Sequence, residues 1–176
     1  MLGALPLAGR VVTGDALYCQ RALCAQIRRA KGDYVVVVKA NQSDLRWAID
    51  TLFAEPPAGE RFATAVQWNQ HGERVEVRRL WASTALTGYL DWPGLQQVVM
   101  VERVCDRDGR QTREVRYAVT SLGPETGPDE LLRRVRQHWA IENRLHWVRD
   151  VTLGEDRSHI RTGAAPQVMA ALRNVV

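Results

Sequence analysis

Two acidic residues in this chain stand where their surroundings give a carboxylate something to do. Glu142 lies within Pro128 to Thr152, PDELLRRVRQHWAIENRLHWVRDVT, whose apolar spacing predicts a helix. Advancing about 100° per residue, Leu131, Val135, His138, Glu142, Leu145, His146 and Arg149 share one stripe. A carboxylate on a covered face costs several kcal/mol of desolvation, by order of magnitude, unless it has a partner. Glu142 therefore either pairs with Arg149, His138 or His146, or holds a divalent cation while those groups manage phosphate charge. Spacing leaves both open, and a second carboxylate brought alongside would decide. Asp15 is placed to be that carboxylate. Val11 to Thr13 reads as a short buried strand ended by Gly14, and an open α/β sheet forms its ligand crevice at the carboxyl ends of its strands.

The elements that must position these residues follow from pattern. A helix is expected from about Ala16 to Ala30, with Leu17, Leu23 and Ile27 packing, Arg21, Arg28 and Arg29 facing out, and Lys31-Gly32 as its stop. Tyr34 to Val38 is a continuous apolar run, as in a strand covered on both faces, and the strand, helix, strand order makes it a parallel neighbour of the first. Lys39-Ala40-Asn41-Gln42 follows it directly and so falls beside Asp15. Ser43 or Asp44 can cap a helix through Leu45, Trp47, Ile49 and Leu52 to Phe53. Beyond Glu55-Pro-Pro-Ala-Gly59 the character changes. Phe62–Trp68, Glu73–Trp81, Gln96–Val104 and Thr112–Thr120 read as strands joined by turns at His71-Gly72 and Asp106-Arg-Asp-Gly109, a sheet laid against the main core. Pro128, Asp129 and Glu130 then open the Glu142 helix, with Arg133, Arg136 and Arg144 on its far side, and Ala164 to Val176 resumes helical spacing with apolar residues still wanting cover.

The chain of 176 residues is long enough for one sizeable core and short for two full domains. A composition 45% hydrophobic and 25% charged is that of a folded soluble protein. The net charge of +4, carried far more by arginine than by lysine, suits a phosphate-rich partner without requiring one. Cys19, Cys24 and Cys105 form no C-x-x-C pair, which points to structural thiols in a reducing interior. No apolar run reaches the length of a membrane span and no secretory leader is visible, so a cytoplasmic location and no membrane partner are expected.

Several motifs together carry a resemblance. They are Val12-Thr-Gly-Asp-Ala-Leu17 with Cys19-Gln20, Gly32-Asp-Tyr34 leading to Lys39-Ala-Asn-Gln42, His71-Gly72 with Glu76 and Arg78, Trp92-Pro-Gly-Leu95, and His138-Trp-Ala-Ile-Glu-Asn-Arg-Leu-His-Trp147 with Asp150-Val151 and Gly154-Glu-Asp156. In this order and spacing the chain resembles the carboxyl-terminal portion of the DDE transposases of bacterial insertion sequences, in the group that includes the H-repeat-associated proteins.

The resemblance implies an α/β fold, a partial ribonuclease-H-like core with an antiparallel β-rich insertion before the final catalytic helix. In this chain the parts become 1–54 for the partial core, 55–127 for the insertion and 128–176 for the helices completing the core. The family's second catalytic aspartate maps to Asp15 and its glutamate to Glu142. Where the broader family has tyrosine, arginine and lysine around the glutamate, this chain has Val135, His138 and Arg149, and the His-Trp-x-Ile-Glu-Asn form is that of the narrower group. The implied cofactor is Mg²⁺ or Mn²⁺, held by Asp15 and Glu142, since hard cations take oxygen ligands. Lys39, His138, His146 and Arg149 are the expected phosphate contacts or supports of Glu142, and Arg28, Arg29, Arg133, Arg136 and Arg144 the expected DNA-binding residues. The implied partners are double-stranded DNA and, for the intact enzyme, insertion-sequence ends, while self-association is expected from the edge that the Val11 and Val35 strands leave unpaired.

The family's first catalytic aspartate has no room before Asp15, Asp33 belongs to the opposite end of its strand, and Asp44 begins a helix. The chain is therefore expected to be a truncated transposase catalytic domain, inactive alone. The alternative is a noncatalytic nucleic-acid-binding remnant or a structural α/β fragment.

Overall fold

The computed structural model of the protein describes residues 6–141, together with Gly163 and Gln167. The chain forms two compact units, Met1–Val135 and Arg136–Val176. Two runs of β-branched residues open the first. β1 (Val11–Gly14) lies parallel to β2 (Asp33–Val38), with Val11 opposite Asp33 and Gly14 opposite Val36. The continuous apolar character of β2 has the expected cause. Tyr34, Val36 and Val38 enter one core and Val35 enters the other, so both faces are covered.

The later strands are β3 (Ala63–His71), β4 (Arg74–Ser83), β5 (Gln97–Arg107) and β6 (Arg110–Thr120). Instead of forming a sheet laid against the core, they extend it. β6 pairs antiparallel with β2, from Val35 opposite Thr120 to Val38 opposite Tyr117, giving one six-stranded mixed sheet in the order β1-β2-β6-β5-β4-β3. Asp108 and Gly109, both at positive φ, make the tight turn between Arg107 and Arg110, where a small or polar residue tolerates the left-handed region.

Among the described residues three helices cover this sheet. α1 (Arg21–Arg29) and α2 (Ser43–Ala54) place Cys24, Ile27, Leu45, Ile49 and Leu52 against Tyr34, Val36, Val98 and Val119 on one face. α3 (Pro128–Ile141) sets Leu131, Leu132 and Val135 on the other, against Val35, Leu80, Val99, Val101 and Ala118. The helix expected from Ala16 is interrupted. Ala16–Tyr18 is a short 3-10 turn, and Cys19 and Gln20 leave helical geometry before α1 begins, so Leu17 is 72% exposed instead of packing in the core. Neither Ser43 nor Asp44 caps α2, because a 3-10 turn over Ala40–Gln42 runs directly into it.

Lys31-Gly32 does end α1, with the two roles exchanged. Lys31 takes the left-handed conformation at φ 57°, and Gly32 N–H closes on the Ile27 carbonyl at 3.0 Å. Glycine is needed at 32 for space, since a Cβ there would sit 2.8 Å from the Leu7 carbonyl oxygen. Burial and then the neighbouring Cys24 push the Cys19 thiol up to about 12, and burial pushes Cys24 to about 11, so both behave as apolar packing groups. The remainder of the helix expected to Thr152 and the one expected over 164–176 lie outside the described residues. Among the described residues no helix is long and apolar enough to cross a membrane.

Candidate active site

Asp15 follows the last residue of β1, where the parallel pairing with β2 stops. Its backbone is extended, at φ −74° and ψ −175°, and Oδ1 accepts the Leu17 N–H at 3.0 Å, which caps the 3-10 turn. Gly14 makes the fold-back feasible, because a Cβ at that position would lie 2.9 Å from Tyr18 Cβ. The carboxylate is half-buried, and its Oδ2 has no protein partner among the described residues.

The segment after β2 lies beside it, as its order in the chain requires. Asn41 Nδ2 donates to the Ala16 carbonyl at 2.7 Å, and Gln42 Nε2 donates to the Cys19 carbonyl at 2.9 Å. Lys39 is exposed at the start of the same turn. With Arg46, Glu114, Arg116 and Tyr117 it lines a cavity of about 180 Å³ at the carboxyl end of β2. Arg116 Nε donates to Glu114 at 2.7 Å, and the Tyr117 hydroxyl donates to Asp50. Burial, reinforced by the Asp50 carboxylate, pushes the Tyr117 phenol up to about 12.

The hairpins continue past this edge. β6 begins at Arg110 yet meets the end of β2 only at Tyr117, so it projects about 20 Å beyond. The projecting part is laced with ion pairs. Glu76 is held by Arg74 at 2.9 Å, by Arg103 at 2.7 Å and by Arg78, while Glu102 is held by Arg79 at 3.0 Å and Arg113 at 2.5 Å. Burial alone would raise Glu76. The arginines, Arg103 foremost, outweigh it and hold the carboxyl below the usual carboxylate range, and Arg113 does the same for Glu102.

The expected DNA-binding arginines occupy varied settings. Arg28 faces the opposite end of β2, where it donates to the Gly32 carbonyl at 2.8 Å and pairs with Asp33. Arg29 is exposed beside it. Arg133 forms two 2.6 Å hydrogen bonds with Glu130. Arg136 and His138 are half-buried on the later turns of α3, with His138 Nδ1 lacking a hydrogen-bond partner among the described residues. Glu142, Arg144, His146 and Arg149 lie outside the described residues, so the meeting of Asp15 with Glu142 does too. Sequence reasoning passed over Arg46 and Arg116 as site residues, and also the roles of Asn41 and Gln42. The signal for Arg46 was its place one turn into the helix that starts just after Lys39.

Among the described residues no three histidine, cysteine, aspartate or glutamate side chains stand close enough to hold a metal ion. The chemistry of Asp15 is compatible with one such ligand, since it offers a hard oxygen at the carboxyl end of β1.

The model of the transposase DDE domain matches residues 1–176. The chain belongs to that family. This DDE domain is 29% identical to the H repeat-associated protein YhhI of Escherichia coli (strain K12), over 99% of its own length and 48% of that protein. It is 30% identical to YncI of Escherichia coli O157:H7, over 99% and 46%, and 39% identical to a protein in the dhlA 3′ region of Xanthobacter autotrophicus, over 69% and 42%. The DDE domain thus spans about half the length of the curated relatives it matches. No solved structure matches it.

Proposed function

We propose that this DDE domain contributes to a metal-dependent site for DNA strand cleavage and transfer, with Asp15 and Glu142 as two of its carboxylates. The observation that carries the reading is the placement of Asp15, at the carboxyl end of a parallel strand with one oxygen unused among the described residues and the Lys39 turn beside it. Mg²⁺ or Mn²⁺, when bound, would activate water or a 3′-hydroxyl and stabilise the leaving oxygen at phosphorus. The domain's own residues supply position and charge. Asn41 and Gln42 fix the crevice edge by holding the carbonyls of Ala16 and Cys19. Lys39 and Arg46, both exposed on one cavity, attract a phosphate backbone.

Among the described residues no further carboxylates gather with Asp15 into a metal-holding cluster. Asp33 is committed to Arg28 and to the Ser121 hydroxyl at the other end of β2, and Asp44 sits on the first turn of α2 beside Ser43. We infer that the isolated chain binds DNA without cutting it, because Asp15 and Glu142 alone are too few carboxylates to hold two cations.

Fluorescence anisotropy with an unrelated duplex across a salt series tests the binding. Affinity should fall steeply with salt, and Lys39→Ala with Arg46→Ala should both weaken it and flatten the salt dependence. No binding at low ionic strength would leave an ordinary α/β fragment as the better account. Incubation with terminal DNA and Mn²⁺ tests the inactivity, and 3′-end cleavage abolished by Asp15→Asn would overturn it.

A further inference from the structure

The sheet ends on β3, which is hydrogen-bonded to β4 alone among the described residues. Natural edge strands are normally blunted by lysine, proline, a bulge or shortness. β3 has none of these. Its nine residues, ATAVQWNQH, include no charged side chain and no proline. Its register with β4 runs without a bulge from Ala63 opposite Ala82 to His71 opposite Arg74. Val66 is 48% exposed and Trp68 is 68% exposed, two residues apart on one face. The opposite edge, β1, is only four residues long.

We propose that β3 is the surface through which two copies of this chain associate, edge to edge and antiparallel, about a two-fold axis at Gln67. The backbone supports that register. Gly72-Glu73 is a two-residue loop closing on the His71–Arg74 pair, so the bonds to β4 fall on odd-numbered residues of β3. Thr64, Val66, Trp68 and Gln70 then turn their N–H and C=O groups outward. With Gln67 opposite its own copy, Val66 meets the second copy's Trp68 and Thr64 meets its Gln70, so every outward group finds a partner. The four Val66 and Trp68 side chains form one apolar row on one face of a continuous sheet. The ends agree in charge. Exposed Arg61, just before β3, comes level with exposed Glu73 of the other copy, and the reverse, while nothing within the strand repels. Within Ala63–His71 a nucleic acid finds no lysine or arginine, which disfavours it as the occupant.

The inference is independent of the DNA-cleavage reading and is tested on the whole chain by sedimentation equilibrium over a concentration series. A reversible dimer is expected. Trp68→Lys and Val66→Lys should each move the monomer–dimer midpoint by about tenfold or more, with far-UV circular dichroism of the diluted monomer unchanged. Arg61→Glu should weaken the dimer, and Glu73→Arg added to it should restore it. Gln67 falls at a non-hydrogen-bonded pair on the axis, where Cα atoms approach to about 4.5 Å, so Gln67→Cys should give an intermolecular disulfide that the parent chain and Thr64→Cys do not. A chain that stays monomeric at high concentration overturns the proposal. So does a dimer indifferent to the lysine variants, or a Gln67→Cys protein that fails to cross-link.

Discussion

Asn41 Nδ2 donates to the Ala16 carbonyl at 2.7 Å, tying the turn after β2 to the residue that follows Asp15. Gln42 adds a second tie to Cys19 at 2.9 Å. The carboxyl ends of the two parallel strands are therefore joined by side chains as well as by the ladder, and Asp15 sits between a ladder that ends at Gly14 and a turn that it caps itself. A carboxylate held this way would lose little freedom on taking up the proposed ligand.

Asp15 has a structural duty that can be separated from the proposed one. Asp15→Asn retains an oxygen for the Leu17 N–H, so the urea midpoint should stay close to the parent's. Asp15→Ala loses that cap and should cost about 1 kcal/mol. If Asp15 is a metal ligand, Mn²⁺ affinity by isothermal titration calorimetry should fall in both variants. Equal Mn²⁺ binding by parent and Asp15→Asn would remove Asp15 from the metal site.

Much of this end of the molecule was legible because its signals are local. A β-branched run stopped by Gly14 gave β1, Tyr34 to Val38 gave β2, and chain order placed Lys39 to Gln42 beside Asp15. The broken helix after Asp15 was not legible. Leu17 has helical spacing with Leu23 and Ile27, but the Asp15 cap favours a 3-10 turn, and this short-range hydrogen bond overrides the period. The continuation of the sheet through β6 was hidden for another reason. The pairing of Val35 with Thr120 depends on two distant strands burying their alternate residues in the same pair of cores, which periodicity within one segment does not report. The Glu76 cluster was half visible, since Arg74, Glu76 and Arg78 alternate along one strand, but its third cation, Arg103, comes from β5.

That cluster sets a pH dependence. Glu76 and Glu102 have folded values below the ordinary range, so each contributes stability that is full above the unfolded carboxylate value of about 4.3 and is lost as pH falls through the folded value. Urea midpoints should therefore hold steady from neutral pH to about 5 and drop below it. The Glu76 side chain is only 7% exposed, and Glu76→Gln leaves three arginines facing one another. A loss of about 3 kcal/mol at pH 7 is expected, with a shallower acid drop than in the parent. An acid limb identical in parent and variant would show that other carboxylates govern it.

The end of α1 gives the last test, because two adjacent residues there should respond in opposite directions to simple changes. Lys31 holds φ 57° with a side chain that disfavours the left-handed region, whereas Gly32 lies at an ordinary φ but has no space for a Cβ beside the Leu7 carbonyl. Lys31→Gly relieves the backbone conformation and should stabilise by about 0.5–1 kcal/mol, net of the extra freedom it gives the unfolded chain. Gly32→Ala drives a methyl group to 2.8 Å from a backbone oxygen, which a rotamer change cannot relieve, and should destabilise by about 1–3 kcal/mol. Both are read as urea midpoints at unchanged m-value, so that each difference reports stability and not a change in the unfolded state's compactness. If Gly32→Ala proved neutral, the segment carrying Leu7 would have to shift without loss, and the close packing of Leu7 into the core above α1 would not be what fixes this corner of the fold.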